Sequence, residues 1–406
     1  MSRRRQTSST AAVTILVCLI AACASADDCA AIGTRSNFFS SQYKAAAFRN
    51  MDRLFFSRTI HKSGMVSELP RDESGLDASF EWNQRRVTLD EFLAETRTTG
   101  FLVIKDGRIV IERYYLGANE NSLLTSWSVA KSFTSTLVGI AIAEGKIASV
   151  DDPITNYVPE LKESGYDGVP IGMILQMSSG IRFVEEYLKS TSDSEMMWDR
   201  GMVKNSEPLN DYVRSLQRAV PPGTQFTYKG ADTQALGWMV ARATGRHLAD
   251  YLSEKVWAPL GTEHDATWLT DAAGDQGMEA AFCCINATLR DFGRFGLLFL
   301  NRGRWQGRQL VPDSWVASAT VPLSPQVEMG KLYKGYPLGY GYQWWAFAGQ
   351  DHAFSGQGIY FQFLYVNPVQ RIVIVKTSAF DTPWDAALAA ETYASWNAIA
   401  TALQAK

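Results

Sequence analysis

The stretch SWSVAKSF at residues 126–133 decides the fold class and the chemistry of this chain. It places Ser128 three residues before Lys131, where a polar segment gives way to an apolar helical pattern that stops at Gly145. Residues three apart share one face of a helix, so the lysine amine lies beside the serine hydroxyl. A serine needs a neighbouring base to become a nucleophile, and a desolvated lysine can be that base. The spacing alone is more often that of a helix cap with a solvated lysine, so the catalytic interpretation depends on further motifs along the chain.

The composition is typical of a globular protein, and its charge does not favour nucleic-acid binding. The chain has 406 residues, 46% of them hydrophobic and 20% charged, with a net charge of −3. This balance suits a large apolar core in one big domain or two tightly packed ones. Nucleic-acid binding calls for a concentrated basic surface, and the sequence has no basic run beyond residues 3–5.

The first 26 residues are predicted to be a signal segment. Three arginines precede an apolar run over residues 11–22, which is too short to span a membrane as a stable helix. The segment IAAC at 20–23 resembles the bacterial lipobox, in which the cysteine is lipidated. The segment ASA at 24–26 offers ordinary signal cleavage instead. We expect an exported protein, either periplasmic or anchored to a bacterial membrane by lipid on Cys23, with the lipobox slightly favoured.

Export permits disulfides, but processing leaves few cysteines to form them. Cys29, Cys283 and Cys284 remain, and the last two are adjacent in an apolar segment. Adjacent cysteines rarely bond to each other because the loop is strained, so we expect buried free thiols there. The four histidines are scattered and none has zinc-ligand spacing with a cysteine. The sequence calls for no metal or organic cofactor, and it carries no signal for an oligomeric state.

Strand patterns lie near both ends of the chain, and helical patterns lie between them. A hairpin is predicted at 101–115 around the turn Asp106-Gly107, and aromatic and β-branched strands at 339–347, 358–366 and 371–378. Helices are predicted near 169–177, 230–244, 247–256, 289–301 and 384–403. We therefore predict an α+β fold, with an antiparallel sheet built from both chain ends, flanking helices and a large, mostly helical insertion.

This pattern divides the chain into three parts. Residues 27–50 are predicted to be a loosely attached arm after the signal segment. Residues 51–406 form the main domain, with a helical subdomain at roughly 150–335. The cleft between the sheet and that subdomain is the expected site.

Several further blocks follow SWSVAKSF in a fixed order: LVGIAI at 137–142, LQMSSG at 175–180, VWAPLG at 256–261 and NATLRDFGRFG at 286–296. Together they resemble the serine β-lactamase and penicillin-binding superfamily over about residues 48–400. The nearest branch is class C-like, comprising the 6-aminohexanoate-dimer hydrolases and the family VIII esterases. The resemblance implies a hydrolase domain in which Ser128 and Lys131 form the first catalytic motif.

The resemblance also implies a second motif of the form Tyr-x-Asn, and a third of the form Lys/His-Thr/Ser-Gly on a strand. Tyr228 matches the tyrosine, with Gly230 in place of the asparagine. Ser355 and Gly356 match the end of the third motif, but Phe354 stands where the cation belongs. His352, two residues earlier, is the alternative source of a cation, and we favour its interpretation as a surface histidine.

The remaining site residues are likewise implied by the family. Tyr187 matches a tyrosine on a mobile loop that contacts substrate in the amide-hydrolase branch. The N–H groups of Ser128 and Gln357 would form the oxyanion hole. Because a β-lactam carboxylate needs the missing cation, a small ester or linear amide is the expected substrate, hydrolysed through an acyl-enzyme.

Three alternatives stand beside this expectation. Within the same family, the chain is a β-lactamase or a D-alanyl-peptidase. From another class, it is a non-catalytic envelope lipoprotein that binds a ligand. A Ser-His-Asp hydrolase is disfavoured because the sequence has no Gly-x-Ser-x-Gly motif and no histidine in a supporting context.

Overall fold

The computed structural model describes residues 31–72, 76 and 78–404. The predicted signal segment and Cys23 lie outside the described residues. In the described part, no helix combines the length and apolar character that crossing a membrane requires.

Fifteen strands are present in the described residues. They are β1 (Ser57–Ile60), β2 (Ser79–Trp82), β3 (Arg85–Thr88), β4 (Thr98–Lys105), β5 (Arg108–Tyr114), β6 (Leu124–Thr125), β7 (Ala266–Leu269), β8 (Ile285–Ala287), β9 (Arg304–Trp305), β10 (Arg308–Gln309), β11 (Gly339–Tyr340), β12 (Trp345–Ala346), β13 (Phe354–Gly358), β14 (Gln362–Asn367) and β15 (Ile372–Ser378).

The α-helices of the same residues are mostly short. They are α1 (Ser41–Ala47), α2 (Met51–Leu54), α3 (Leu89–Glu95), α4 (Ala130–Ala143), α5 (Ile171–Leu175), α6 (Asp193–Trp198), α7 (Leu209–Ser215), α8 (Gly230–Thr244), α9 (Leu248–Leu252), α10 (Ala258–Leu260), α11 (Leu289–Leu300), α12 (Asp313–Ala319) and α13 (Ala386–Gln404).

The predicted α+β architecture is confirmed. A seven-stranded antiparallel sheet has the order β11-β12-β13-β14-β15-β4-β5, so the C-terminal strands join the N-terminal hairpin in one sheet. The hairpin turns at Asp106 and Gly107, both with positive φ, as the Asp-Gly pair predicts. Helices α4 and α11 pack on one face of this sheet, and α3 and α13 pack on the other.

The segment between the two parts of the sheet is mostly helical, as expected, but it also contains strands. β7 and β8 from this region join β1 and β6 in a second, four-stranded sheet of order β1-β7-β8-β6. β6 leads directly into the SWSVAKSF stretch, so this small sheet anchors the start of α4.

Two predicted strands are wrong in their extent. The segment expected at 339–347 is the antiparallel pair β11 and β12, because the chain reverses direction at residues 341–344. The segment expected at 358–366 is two strands, because the chain turns between β13 and β14 at residues 359–361, where Tyr360 and Phe361 have positive φ. The alternating aromatic pattern concealed this turn, which has no glycine or proline at its centre. Ser355 and Gly356 therefore lie within β13 rather than before a strand.

The arm is also more tightly attached than predicted. Phe38 has 0% of its surface exposed and belongs to the main core, together with Phe48 and Met51. The ring centroid of Phe38 is 5.3 Å from that of Phe55 and 6.5 Å from that of Trp127. The polar residues around these aromatics suggested a loose segment, but its phenylalanines fill a hollow beside the nucleophile turn.

Candidate active site

Ser128 lies in a tight turn, and Lys131 follows it on the first turn of a buried helix. Residues 127–129 form a 3-10 turn that runs straight into α4, and Trp127 has a positive φ of 43°. Ser128 Oγ accepts a hydrogen bond of 2.9 Å from Lys131 Nζ. The spacing of three residues thus produces the contact that the sequence predicts.

Lys131 is held in a dry environment. Its side chain is only 1% exposed, and Nζ donates a second hydrogen bond of 2.8 Å to the carbonyl of Phe282. Burial lowers the pKa of Lys131 to about 8, because desolvation penalises the ammonium form, while the Glu185 carboxylate opposes this effect. A substantial fraction of neutral amine is therefore present near physiological pH.

The Tyr228 hydroxyl completes a three-residue cluster. Its hydroxyl interacts with the Ser128 side chain, and Lys131 Nζ lies 5.0 Å from the centroid of the tyrosine ring. The ring stacks on Trp345 with 5.5 Å between centroids. Burial raises the pKa of Tyr228 well above its ordinary value, and the Glu185 carboxylate raises it further. The structure thus brings together the three residues predicted to be catalytic.

Glu185 connects the loop that carries Tyr187 to the start of α8. One carboxylate oxygen accepts a 2.8 Å hydrogen bond from the backbone N–H of Gly230, and the other accepts one of 2.8 Å from the Tyr187 hydroxyl. Free N–H groups at a helix N-terminus favour a carboxylate partner. Glu185 was not predicted as a site residue, although its place two residues before Tyr187 could have suggested it.

β13 runs past the nucleophile turn with almost no space between them. A Cβ on Gly358 would lie 2.6 Å from the carbonyl oxygen of Ser126 and 3.0 Å from the nitrogen of Ser128. Gly356, one of the predicted binding residues, is also close: its Cβ would lie 3.0 Å from Val129. Glycines on this strand let its backbone approach Ser128.

The predicted third-motif residues have different positions relative to the cavity in front of Ser128. Gln357 lines it, while its side chain donates to Ser355 Oγ at 2.8 Å and accepts from the Tyr393 hydroxyl at 3.0 Å. Ser355 is fully buried and does not line the cavity, so its predicted contact with substrate is not supported by its position. Phe354 packs in the core against Trp344.

This cavity has a volume of about 540 Å³ and walls made mainly of aromatic rings. Among the described residues that line it are two glutamates but no lysine or arginine. His352 is exposed on a loop and does not line it either. Tyr187, which was predicted to bind substrate, lines the cavity. The lining also includes aromatic residues that were not among the predicted site residues: Tyr333, Tyr336, Trp345 and Trp384. The dense aromatic spacing over residues 333–345 could have indicated the first three, whereas Trp384 lies outside that segment.

The segment whose Phe282 carbonyl accepts a hydrogen bond from Lys131 also contains a pair of bonded cysteines. Cys283 and Cys284 form a disulfide, so the prediction of free thiols is wrong. Cys284 has a positive φ of 72°, and its N–H donates to the carbonyl of Trp127. The Cys283 carbonyl accepts from the indole of Trp268. These contacts hold the backbone in the unusual conformation that brings two neighbouring sulfurs together.

Comparisons with known proteins identify the family of this site. A family model described as Beta-lactamase matches residues 87–395. The 6-aminohexanoate-dimer hydrolase of Paenarthrobacter ureafaciens is 32% identical over 307 residues, covering 74% of this chain and 77% of that protein.

Solved structures agree with the sequence match. One described as "Putative 6-aminohexanoate-dimer hydrolase from Bacillus anthracis" is 25% identical, covers 91% of this chain and 97% of its own, and superposes with a TM-score of 0.82. A family VIII carboxylesterase at 18% identity shares the fold over 76% of this chain, with a TM-score of 0.57. The resemblance drawn from the motif blocks is confirmed, and the chain belongs to the Beta-lactamase family.

Proposed function

We propose that this protein is a serine hydrolase that cleaves small esters or linear amides through an acyl-enzyme on Ser128. The observation that carries the proposal is the 2.9 Å hydrogen bond between Ser128 Oγ and a buried lysine whose pKa is lowered to about 8. A neutral Lys131 accepts the serine proton as Oγ bonds to the substrate carbonyl carbon. The opposite pKa shift of Tyr228 favours Lys131 over Tyr228 as the base.

Tyr228 has the position of a proton relay to the leaving group. Its hydroxyl interacts with the Ser128 side chain, and its ring lines the large cavity. As the carbonyl reforms, the bond to the leaving amine or alkoxide breaks and that group takes the tyrosine proton. Tyr228 is reprotonated from Lys131. The N–H groups of Ser128 and Gln357 stabilise the oxyanion, and water then attacks the acyl-enzyme with the same base.

The charge of the cavity supports a substrate without a carboxylate. Loss of one charge-assisted hydrogen bond to a carboxylate costs about 1.5–3 kcal/mol, or roughly ten- to a hundredfold in affinity. Phe354 is in the core where the family places a cation, and Glu185 adds a negative charge near the nucleophile. The relatives named as a 6-aminohexanoate-dimer hydrolase and a carboxylesterase support amides and esters as the substrate class.

Fluorophosphonate labelling tests whether the cluster is catalytic. Wild type should be labelled, Ser128→Ala should not, and Ser132→Ala should be labelled like wild type. Ser132 is the matched control because it lies on the same helix and bonds the Gln343 carbonyl. Absence of labelling in wild type would favour the alternative of a non-catalytic binding lipoprotein.

A substrate panel separates the hydrolase classes. Short 4-nitrophenyl esters and linear amides should be hydrolysed by wild type and not by Ser128→Ala, whereas nitrocefin should be turned over slowly or not at all. Turnover of nitrocefin as fast as the best ester would mean that another cation reaches the carboxylate, and would promote the β-lactamase alternative. Release of D-alanine from a D-alanyl-D-alanine peptide at that rate would promote the peptidase alternative.

We also propose that the protein is exported and carries lipid on Cys23. The support is the order of features in the first 23 residues, where basic residues precede an apolar run that ends in the segment IAAC. Mass spectrometry of the mature protein from a bacterial host should show a lipid-modified N-terminal Cys23, which a Cys23→Ser variant lacks. An unmodified chain that starts at Asp27 would instead support cleavage after Ala26 and a soluble periplasmic protein.

A further inference from the structure

Ser128 borders two cavities of very different size. Besides the large cleft, the nucleophile lines a chamber of about 50 Å³, which shares Ser128, Glu185, Tyr187 and Ile359 with that cleft. Because Ser128 lines both cavities, each of them is a candidate space for one half of the substrate.

The position of Tyr228 indicates which half goes where. Tyr228 lines the large cleft and is not among the described residues that line the small chamber. A leaving group must reach the proton donor, so it belongs in the large cleft. The acyl group, which stays on Ser128, is therefore assigned to the small chamber.

The walls of the chamber restrict its contents. Phe39, Trp198 and Phe282 supply apolar surface. Two carboxylates also reach the wall and are already bonded: Glu185 to Gly230 N–H and the Tyr187 hydroxyl, and Glu195 to the N–H of Leu188 at 3.1 Å. A negatively charged acyl group would be repelled, and a long one would not fit.

One wall comes from the N-terminal arm. The Phe39 ring stacks on Trp127 with 5.5 Å between centroids and an interplanar angle of 22°, and it lies 5.5 Å from the ring of Tyr360. Trp127 directly precedes the nucleophile, so the arm closes the chamber right beside Ser128.

We propose that the small chamber is the acyl subsite, that it accepts short acyl chains without a negative charge, and that Phe39 sets the length limit. This inference rests on the proposed function, since it assumes acyl transfer to Ser128. Residues 31–50 would then help to determine substrate specificity, and a bulky group would be accepted only as the leaving group.

The test is a series of 4-nitrophenyl esters from acetate to octanoate, which varies the acyl chain and keeps the leaving group constant. For wild type we expect kcat/KM to fall at least about tenfold from butanoate to octanoate. Phe39→Ala should raise the octanoate-to-acetate ratio of kcat/KM by about tenfold, because it opens the chamber wall.

Gly230→Ala tests the same wall from the opposite direction. Its Cβ would meet Phe282 at 3.4 Å and Met197 at 3.5 Å, which are ordinary contacts, so the chamber shrinks without a clash. We expect butanoate to lose more kcat/KM than acetate. Because this variant does not depend on the arm, it keeps the proposal testable if Phe39→Ala fails to fold.

Two controls complete the design. Tyr43→Ala removes a half-buried aromatic from the same arm, outside both cavities, and should leave the acyl-length ratio unchanged. Val184→Ala, in the large cleft, should change the preference between phenyl and naphthyl acetate but not the acyl-length ratio.

The outcomes distinguish the two proposals. Hydrolysis that persists in Ser128→Ala would overturn the proposed function itself. Ser128-dependent hydrolysis with octanoate accepted as well as acetate, or with the ratio unmoved in Phe39→Ala and Gly230→Ala, would overturn the acyl chamber alone.

Discussion

Lys131 makes the reaction sensitive to pH in a defined direction. Its pKa is lowered to about 8, and only the neutral amine accepts the serine proton. We therefore expect kcat/KM to fall as the pH drops below about 8, with an acid limb near that value. The measurement is a pH profile from 6 to about 9.5 on a linear amide, which is stable over that range. A profile that is flat over this range would contradict Lys131 as the base.

The variant Glu185→Gln tests whether the acid limb of the pH profile belongs to Lys131. The Glu185 carboxylate favours the ammonium form and raises the pKa of Lys131, so removing its charge should move the acid limb to lower pH. Glu186→Gln, on the same loop but exposed and paired with Lys189 at 2.5 Å, should leave the limb in place. Equal shifts in both variants would mean that Glu185 has no specific effect.

At the scale of elements, the close passage of β13 beside the nucleophile turn requires a glycine. Gly358→Ala would put a methyl group 2.6 Å from the carbonyl oxygen of Ser126, which forces the turn and the strand apart. We expect kcat/KM to fall by about a hundredfold or more, because a displacement of about 1 Å is costly at a reacting centre. Gly172→Ala is the control, since its nearest contact would be 3.4 Å. Near-normal activity of Gly358→Ala would show that this contact is not part of the site.

The interior strand β15 of the large sheet carries a buried lysine. Lys376 is completely buried, its Nζ has no hydrogen-bond partner among the described residues, and it lies 5.8 Å from the centroid of the Phe92 ring. Burial lowers the pKa of Lys376 to about 7, against about 10.4 for an unfolded chain. Between these values the unfolded state binds more protons, so the stability of the fold rises with pH across that window.

Lys376→Met should therefore stabilise the protein. Each unit of pKa shift corresponds to about 1.4 kcal/mol, so the gain in unfolding free energy at pH 7 should reach several kcal/mol and shrink towards pH 10. Thermal melts of Lys376→Met and of the exposed control Lys162→Met across this range measure it. A gain that does not change with pH would assign the effect to packing rather than to the charge.

At the scale of the whole molecule, the arm is part of the core. Phe38→Ala should lower the unfolding free energy by about 3–5 kcal/mol, as for other buried phenylalanines, because it leaves a cavity under the nucleophile turn. Tyr43→Ala should cost less, since that side chain is only half-buried. Denaturant unfolding of both variants measures the difference. A loss of less than about 1 kcal/mol for Phe38→Ala would restore the expectation of a loose arm.

Local sequence patterns were enough to predict the family, the sheet built from both chain ends and the Ser128–Lys131 contact. These depend on local rules, because hydrophobic periodicity and a spacing of three residues on a helix act over short distances. Tyr228 was found through the order of the motif blocks, although it lies 100 residues further along the chain.

The residues that line the site and the charges around it depend on how the chain folds in three dimensions. Four features of the site depend on contacts between segments that are distant in sequence. They are the hydrogen bonds of Glu185, the burial of Ser355, the disulfide between Cys283 and Cys284, and the position of Phe39 beside Ser128. Burial and pKa depend on what surrounds a side chain from every direction, and a one-dimensional pattern holds that information only for neighbours along the chain.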